Sequence, residues 1–561
     1  MSAAVNMGEV TLFSKGAVRL QEGTGIVSGS RNDGGDIDIR SRGEIALDWG
    51  AVVGAEGLKG GDGGEVIIFA GTSAYLGEGA VVSAAALGEG DGGFVEFSAK
   101  EAVNLAGELR AWSAMGGRGS ILIDPEAIEI VDPSVYTGGA DYTLIASERI
   151  AVADGVTVST RNIGSETDHL TAASAGDSGN ITLEAPVIEV GEGSMLLAFS
   201  DDDAFASGDI LLDAHVLDTV DLSTSALPAG TAHISVLNAV IWGGNVTLRS
   251  RVEKDNIYST DGMVTDYVSD MFGGTGINKI DNMLKNVVSG VDQDVADLLD
   301  DVDAANLPAA LSATALTEVG GSYIIATGDA KISARAKTDI QLDPDNALLA
   351  VAVVYSSTQA KTQIEKSQVF ARGDLDVTAL AIENLDLAAG SDDEDSASNM
   401  ALAISLRESS AQALMVGSTY SLTEIDGVPK YDWDSTVGGT ATVHAEVRKD
   451  IAISATSGGN GDGAGEAVVF SYDDSLAQAA VTTFVRTSDG SLTIDALTDY
   501  RGYDLSATVD EDALSGETEA PDEDVDALSA AMETARATLS SALGNVLDGA
   551  AVVADIANVE T

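Results

Sequence analysis

The sequence has 561 residues, with 29 lysines and arginines against 90 aspartates and glutamates, and a formal net charge of −61. So few cations exclude a nucleic-acid partner and argue against an anionic membrane surface, because both partners require lysine or arginine to offset phosphate charge. Apolar residues make up 45% of the chain and cysteine is absent, so a folded core is expected while disulfides and thiolate chemistry are excluded.

The amino-terminal residues lack the basic stretch and the apolar stretch of a signal peptide. No run of about 18 apolar residues occurs, which is the length that spans a bilayer as a helix. We therefore expect no membrane insertion, and we expect any export signal to lie outside this chain.

A repeat of about 27–29 residues organises residues 1–253. Its glycine marker stands at these positions: Gly8, Gly35, Gly64, Gly93, Gly119, Gly179, Gly208 and Gly244. Apolar residues follow two and four positions after each glycine, as Ile37 and Ile39 follow Gly35. A spacing of two places side chains on one face of a β-strand.

Two further short strands are predicted in a unit, such as Ile45–Leu47 and Ala51–Val53, before a glycine-rich corner such as Lys59–Gly64. One unit cannot bury its apolar face alone, but stacked units can. The pattern predicts an all-β fold, namely a right-handed parallel β-helix (solenoid) in two blocks. The alternative is an antiparallel sandwich, which has no reason to repeat glycine at nearly constant spacing.

Residues 254–318 lose this alternation. Apolar residues at spacings of three and four are Ile277, Ile280, Leu284, Val287, Val291, Val295, Leu298 and Val302. This spacing predicts an α-helical insertion with acidic outer positions.

A second β-helix block with longer, irregular repeats is predicted over residues 319–510. Its common strand is seen at Ala330–Ala334, Leu375–Ala379, Ala441–Ala445 and Leu492–Ala496. A further short alternating run follows each, at Ile340–Leu342, Leu385–Leu387, Ile451–Ile453 and Leu505–Ala507. Apolar stretches precede three of them, at Leu349–Tyr355, Met400–Leu406 and Ala467–Tyr472. Loops of varied length therefore interrupt a common coil.

Residues 511–561 are predicted to form an acidic linker and a helical segment. One apolar face is marked by Leu528, Met532, Ala535, Leu539 and Leu543. Acidic residues at Asp522–Asp524 suit the positive end of a helix dipole. The parent chain is expected to continue beyond Thr561.

The segments Gly92–Lys100, Leu105–Gly107, Gly116–Pro125 and Ile128–Ile130 together resemble a junction in filamentous-haemagglutinin-type exoproteins (giant adhesins) of the two-partner secretion class. The resemblance covers residues 1–250 and, more loosely, 320–510. It implies an interior β-helix segment, exported through an outer-membrane secretion pore by a domain that is not in this chain. The family's Asn-Pro-Asn-type secretion motifs are absent here, and the resemblance carries over no catalytic residues.

Catalytic and cofactor-binding residues are not identified by any motif. The histidines His169, His215, His233 and His444 are far apart in sequence, which argues against a zinc site. Neither a Gly-x-Ser-x-Gly elbow nor a P-loop occurs. Glycine-rich corners such as Gly60–Gly64 open no helix, so they are interpreted as turns.

Carboxylate clusters occur at Asp201–Asp203, Asp300–Asp301, Ser391–Asp395 and Asp510–Asp512. Loop carboxylates are the ligands that calcium prefers, so Ca²⁺ binding is a hypothesis for them. Solvated acidic loops are the alternative, because no Asp-x-Asp-x-Asp-Gly loop is present and Gly458–Gly463 is a single partial look-alike of a calcium repeat. Individual metal ligands stay unknown.

The sequence thus predicts a structural or adhesive segment of a large secreted or cell-surface bacterial fibre. It would form a stiff rod whose loops contact a host or neighbouring cell surface, a glycan or a neighbouring fibre. The alternatives are a purely structural spacer and a β-helix polysaccharide lyase or hydrolase. An enzyme of that kind needs carboxylates gathered across adjacent coils. The outward column of Asp38, Ile67 and Glu96 forms no such ladder, so no enzyme activity is expected.

Overall fold

A computed structural model describes the chain over residues 3–5, 8–29, 32–113, 116–117, 119–131, 135–164, 166, 168–220, 229–257, 305–342, 349–391, 399–417, 423–425, 428–430, 434–457, 465–509 and 551–558. All regular structure in these residues is β, and none of them lies in a helix. None of these residues forms a helix long and apolar enough to cross a membrane.

The strands of the described residues are numbered in chain order. Every third strand lies on the same side of the stack, until a separate hairpin late in the chain adds two strands to the interval. The first sheet has thirteen strands in the order β2 (Glu9–Ser14), β5 (Asp36–Ser41), β8 (Glu65–Ala70), β11 (Phe94–Ala99), β14 (Ser120–Ile123), β17 (Asp141–Ile145), β20 (Ile181–Glu184), β23 (Ile210–Val220), β26 (Val246–Ile257), β29 (Ala330–Leu342), β32 (Leu375–Ser391), β37 (Ala441–Ser457) and β40 (Leu492–Val509).

The second sheet also has thirteen strands, in the order β3 (Val18–Leu20), β6 (Ile45–Leu47), β9 (Ser73–Leu76), β12 (Ala102–Leu105), β15 (Ala127–Ile130), β18 (Arg149–Val152), β21 (Val187–Val190), β24 (Ala229–Leu237), β27 (Ala305–Gly320), β30 (Leu349–Glu365), β33 (Asn399–Val416), β38 (Gly465–Val481) and β41 (Ala551–Asn558). All its neighbours pair in parallel except β41, which is antiparallel to β38.

The third side of the stack is divided into two parallel sheets. Five strands form the first: β1 (Ala3–Val5), β4 (Gly25–Ser28), β7 (Val52–Gly54), β10 (Val81–Ser83) and β13 (Glu108–Arg110). Eight form the other: β16 (Val135–Tyr136), β19 (Thr157–Ser159), β22 (Met195–Leu197), β25 (Val240–Gly243), β28 (Tyr323–Ala326), β31 (Gln368–Ala371), β36 (Asp434–Val437) and β39 (Phe484–Thr487). A small antiparallel hairpin, β34 (Thr423–Ile425) and β35 (Val428–Lys430), is separate.

The predicted columns of the amino-terminal repeat are confirmed. In the first sheet, Val10 pairs with Ile37, which pairs with Val66, and the column continues through Val95 and Ile121. The second strand is confirmed in the same way, even where Ile128 comes one residue early and pairs with Val103. These side chains enter one core shared by all three sides of the stack. The chain is therefore a stacked parallel solenoid of the β-helix kind.

One coil of the stack was missed by the glycine pattern. Strands β17, β18 and β19 form a complete coil, with Tyr142 and Leu144 buried in the core. The residue before β17 is Ala140, which stands where neighbouring coils carry Gly119 and Gly179.

The strands lengthen in the carboxyl-terminal half and enclose a second core. The predicted runs near Ile340 and Leu385 are not separate strands but the far ends of β29 and β32, of 13 and 17 residues. There the first and second sheets face each other around a smaller apolar cluster that includes Leu342, Val354 and Leu387. In the last coil, a bulge after Lys449 sets Leu505 opposite Ile453, two residues from the predicted match.

The predicted helical segments require correction where the structure describes them. Residues 254–257 belong to β26 and 305–318 to β27, so these parts of the insertion are strand. The insertion was predicted to end at residue 318, although its helical spacing ends at Val302. The prediction extended too far, because Ala313, Ala315 and Val319 are buried at the even spacing of a strand. Residues 551–558 are likewise strand rather than helix. The helical faces at 277–302 and 528–543 lie outside the described residues.

A ladder of Asx side chains connects successive coils just before the first-sheet strands. The side-chain oxygen of Asn180 accepts a hydrogen bond from the backbone N–H of Asp209 at 2.8 Å, and Asp209 accepts one from Asn245 at 2.8 Å. The same contact recurs from Asp374 to Asp329 at 2.9 Å. Each Asx side chain satisfies a corner N–H that has no strand partner, so it fixes the register between coils.

Candidate functional site

The break in the third side of the stack creates the most distinctive concave surface of the described chain. The ladder ends at β13 and resumes at β16, which pairs with β19 and not with β13. A long loop, residues 160–178, leaves the stack directly after β19. Together the break and the loop enclose a cleft of about 650 Å³.

The base of this loop is closed by backbone and side-chain hydrogen bonds. Gly179 donates its N–H to the carbonyl of Thr160 at 3.0 Å, and the Thr160 hydroxyl donates to the carbonyl of Gly179 at 2.6 Å. Ala175 donates its N–H to the carbonyl of Asn162 at 2.7 Å. The loop is therefore clasped at its root.

Arg161 anchors the loop from inside. Its side chain is fully buried, and its guanidinium lies 3.8 Å from the centroid of the Phe199 ring. It donates to the carbonyls of Phe199 at 3.1 Å, His169 at 2.5 Å and Ala172 at 2.9 Å, and to the carboxylate of Asp201 at 3.1 Å. The guanidinium is planar and has five N–H donors, so it can bond acceptors of the loop and acceptors of the segment after β22 at the same time.

This anchoring places the imidazole of His169 against the ring of Tyr136, which lies in β16. The rings of His169 and Tyr136 are parallel within 6°, with centroids 3.9 Å apart. The His169 Nδ1 lies 3.0 Å from the Ser159 hydroxyl. Burial and the nearby charge of Arg161 lower the pKa of His169 to about 4, although Asp168 and Glu108 oppose the shift. The imidazole is therefore neutral at pH 7.

The remaining wall combines an indole with carboxylates. Trp112 follows β13 and lies half-buried over Gly138, whose positive φ of 63° lets the chain turn beneath the ring. Glu108 and Glu166 also line the cleft. The cation Arg110 is already engaged, because its Nε donates to Glu108 at 2.7 Å and its Nη2 at 2.6 Å.

A second group of charges is buried deeper in the molecule, between the two apolar cores. We call it the polar layer, and it consists of Thr338, Glu383 and Lys449 from the first sheet and Ser356, Thr358, Arg407, Ser409, Ser471 and Asp473 from the second. Thr338, Glu383 and Lys449 form one column of the first sheet, flanked by apolar residues of both cores.

The charges of the polar layer balance within it. Lys449 is fully buried, lies 3.0 Å from a Glu383 oxygen and makes a second ion pair with Asp473. Arg407 donates to the Ser471 hydroxyl at 2.9 Å and lies 3.9 Å from Asp473. Burial raises the pKa of Asp473, but Lys449 and Arg407 outweigh it and the net shift is downward. These contacts are internal, so the layer offers no surface to a ligand.

The residues that the sequence singled out are scattered. Among the described residues, no group of three or more potential metal ligands comes together. Of the four histidines, only His169 lines the cleft. Asp201 is taken up by Ser174 and Arg161 as part of the loop anchor. The clusters at Asp300–Asp301 and Asp510–Asp512, the acidic residues 392–395 and the glycine-rich segment 458–463 lie outside the described residues.

Sequence reasoning missed the cleft because its residues come from separate coils. Trp112, Tyr136 and His169 share no motif, and only the coil-to-coil pairing brings them together. A usable signal did exist: residues 160–178 interrupt the repeat where most other coils of residues 1–253 have shorter connections. Long insertions in a solenoid commonly carry binding surfaces.

Comparison with known proteins identifies no relative. The chain matches no protein-family model, no curated protein and no solved structure. The resemblance to filamentous-haemagglutinin-type exoproteins therefore depends on the sequence segments quoted above.

Proposed function

We propose that this chain is a rigid segment of a secreted or cell-surface bacterial fibre, related to the filamentous-haemagglutinin-type exoproteins, in which a right-handed β-helix carries side loops that contact a cell, a glycan or a neighbouring fibre. The uninterrupted stack of the first and second sheets supports this most directly. In such a stack each coil is held by backbone ladders to both neighbours, which resists bending and extension along the axis.

Right-handedness is proposed because connections between parallel strands of one sheet are almost always right-handed. The thirteen strands of the first sheet define twelve intervals of about 4.8 Å, and hence an axial length of about 58 Å. The large acidic excess would keep neighbouring rods from collapsing onto one another.

Two measurements test this function. Electron microscopy of the purified chain is expected to show a narrow rod of about the calculated length. Fluorescently labelled protein is then incubated with intact bacterial and animal cells at several ionic strengths. Saturable retention at physiological salt supports adhesion, whereas a rod that no cell retains would leave only the spacer function, and a compact particle would contradict the rod itself.

A further inference from the structure

We infer that the cleft at the break of the third side is a binding site for a neutral oligosaccharide. The juxtaposition that carries this inference is that three aromatic side chains, Trp112, Tyr136 and His169, line the same cleft as the carboxylates Glu108 and Glu166. The inference rests on the adhesive part of the proposed function, not on the rod, and gives that part a defined site.

The aromatic side chains match one face of a sugar ring. A pyranose presents axial C–H groups on its flat face, and these carry partial positive charge that is attracted to the electron-rich face of an aromatic ring. Trp112 is half-buried and accessible from the cleft, and the Tyr136–His169 stack adds a second planar surface. An apolar wall with few polar groups is the usual composition of a small-molecule site.

The polar residues match the edge of the same ring. Sugar hydroxyls donate hydrogen bonds, and carboxylates accept strong, charge-assisted ones. Glu166 is exposed on the loop and Glu108 is the first residue of β13, so the two carboxylates come from separate segments of the chain. Asn162 also lines the cleft, and its side-chain amide can both donate and accept hydrogen bonds.

Charge selects a neutral saccharide over an anionic one. The cation Arg110 is held by Glu108 through two hydrogen bonds, and His169 is neutral at pH 7. The lining of the cleft therefore has a net negative charge, which comes from Glu166. The whole chain has a formal net charge of −61. A uronate or sulfated sugar would meet repulsion in the cleft and from the molecule around it.

The cleft is held in shape before any ligand arrives. The loop wall is fixed by the buried Arg161 and by the closed base at Thr160 and Gly179. A site that is already ordered pays little conformational entropy on binding. This arrangement favours recognition of a short saccharide segment over closure around a long one.

The test is calorimetric titration of the full chain with cellohexaose, maltohexaose, mannohexaose and laminarihexaose. At least one should bind saturably at pH 7 and change tryptophan fluorescence. Trp112→Ala is expected to weaken binding at least about tenfold, which is about 1.4 kcal/mol, and to remove the fluorescence change, because aromatic anchors carry a large share of the energy at a binding site. Trp49→Ala is the matched control, since Trp49 is 61% exposed and is not among the residues that line the cleft, and it should leave both signals unchanged.

Glu166→Ala guards against misfolding of the Trp112 variant, because Glu166 is exposed. It should weaken binding about fivefold or more through loss of a charged acceptor, while the exposed Glu22→Ala should not. The inference is overturned if no saccharide binds at concentrations up to about 10 mM, or if Trp112→Ala and Glu166→Ala both bind as wild type does. Cell retention without saccharide binding would refute the cleft and keep adhesion; the reverse result would refute adhesion and keep the cleft.

Discussion

Lys449 and His169 show how individual residues depend on coils far away in sequence. Lys449 is tolerated in a fully buried position because Glu383 and Asp473 arrive from two different strands to neutralise it. His169 is neutral at pH 7 because burial and the positive charge of Arg161 lower its pKa, and its ring is stacked on Tyr136. In both cases the stacking of coils brings residues that are distant in sequence into contact with the buried group.

Replacement of Lys449 by methionine should lower the free energy of unfolding by about 3–5 kcal/mol, because it leaves Glu383 and Asp473 buried with one cation fewer. Urea denaturation measures the change. The control is Lys361→Met, which removes a half-exposed ion pair to Glu318 at 3.1 Å and should cost less than about 1 kcal/mol. Equal losses for the two variants would contradict the burial of the Lys449 pair.

The imidazole of His169 is expected to titrate with a pKa of about 4, measured by NMR and assigned by comparison with His169→Gln. Its pKa in the folded chain lies below the ordinary value of 6.5, so the unfolded chain takes up the proton first as the pH falls. The stability that neutral His169 contributes is present above pH 6.5 and is lost as the pH falls toward 4. A pKa near 6.5 would show that the loop does not pack over Tyr136.

The corner before the first-sheet strands repeats in one form from β20 to β32. There it combines a glycine with an Asx residue, as in Gly208-Asp209 and Gly373-Asp374. The glycine is needed because the next coil passes too close: a Cβ on Gly208 would overlap the backbone of Gly179, and one on Gly373 would overlap the Asp329 carboxylate. The Asx side-chain oxygen then accepts a hydrogen bond from a backbone N–H of the following coil. Each of these corners therefore sets both the spacing and the register of its coil.

Gly208→Ala should destabilise the chain by about 3 kcal/mol, at the upper end for overpacking, because the added Cβ collides with backbone rather than with a movable side chain. Thermal and urea unfolding measure the effect. Gly54→Ala is the control: its φ is not positive and no atom lies within 4 Å of the added Cβ. That variant should be unchanged or stabilised by up to about 1 kcal/mol. A mild Gly208→Ala phenotype would mean that the coils can separate freely at the corner.

The whole molecule combines a continuous apolar interior with a strongly acidic exterior. The main core runs from Leu20 to Val447 through all three sides of the stack, while the formal net charge is −61. Self-repulsion of that size opposes the compact state and is weakened by dissolved salt. The fold should therefore gain stability from ionic strength in general.

Sodium chloride is expected to raise the unfolding temperature by a few degrees between low salt and physiological ionic strength. Screening depends on ionic strength rather than on the identity of the cation, so CaCl₂ and MgCl₂ at equal ionic strength are expected to raise it equally. Differential scanning calorimetry measures both. A shift found with calcium alone would instead establish a calcium site in the acidic loops, and no response to salt would contradict the role of charge repulsion.

The sequence by itself determined most coils of the amino-terminal block, because glycines such as Gly35, Gly64 and Gly93 mark their turns and the alternation after them fixes the buried face. It determined the second block less completely, since the same alternation continues through 13- to 18-residue strands and does not show where one core ends and the next begins. The polar layer could not be predicted from the sequence for the same reason. Glu383 and Lys449 occupy ordinary inward positions of the alternation, and only the parallel register places them side by side.

The cleft was decided entirely by tertiary structure. Trp112, Tyr136 and His169 come from three separate segments, and they meet because the third side of the stack breaks between β13 and β16 and a buried arginine holds the loop over the gap. Periodicity reports which face of a strand is buried, because that depends on local alternation. It does not report which coils leave a gap, because that depends on the lengths and contacts of connections between coils.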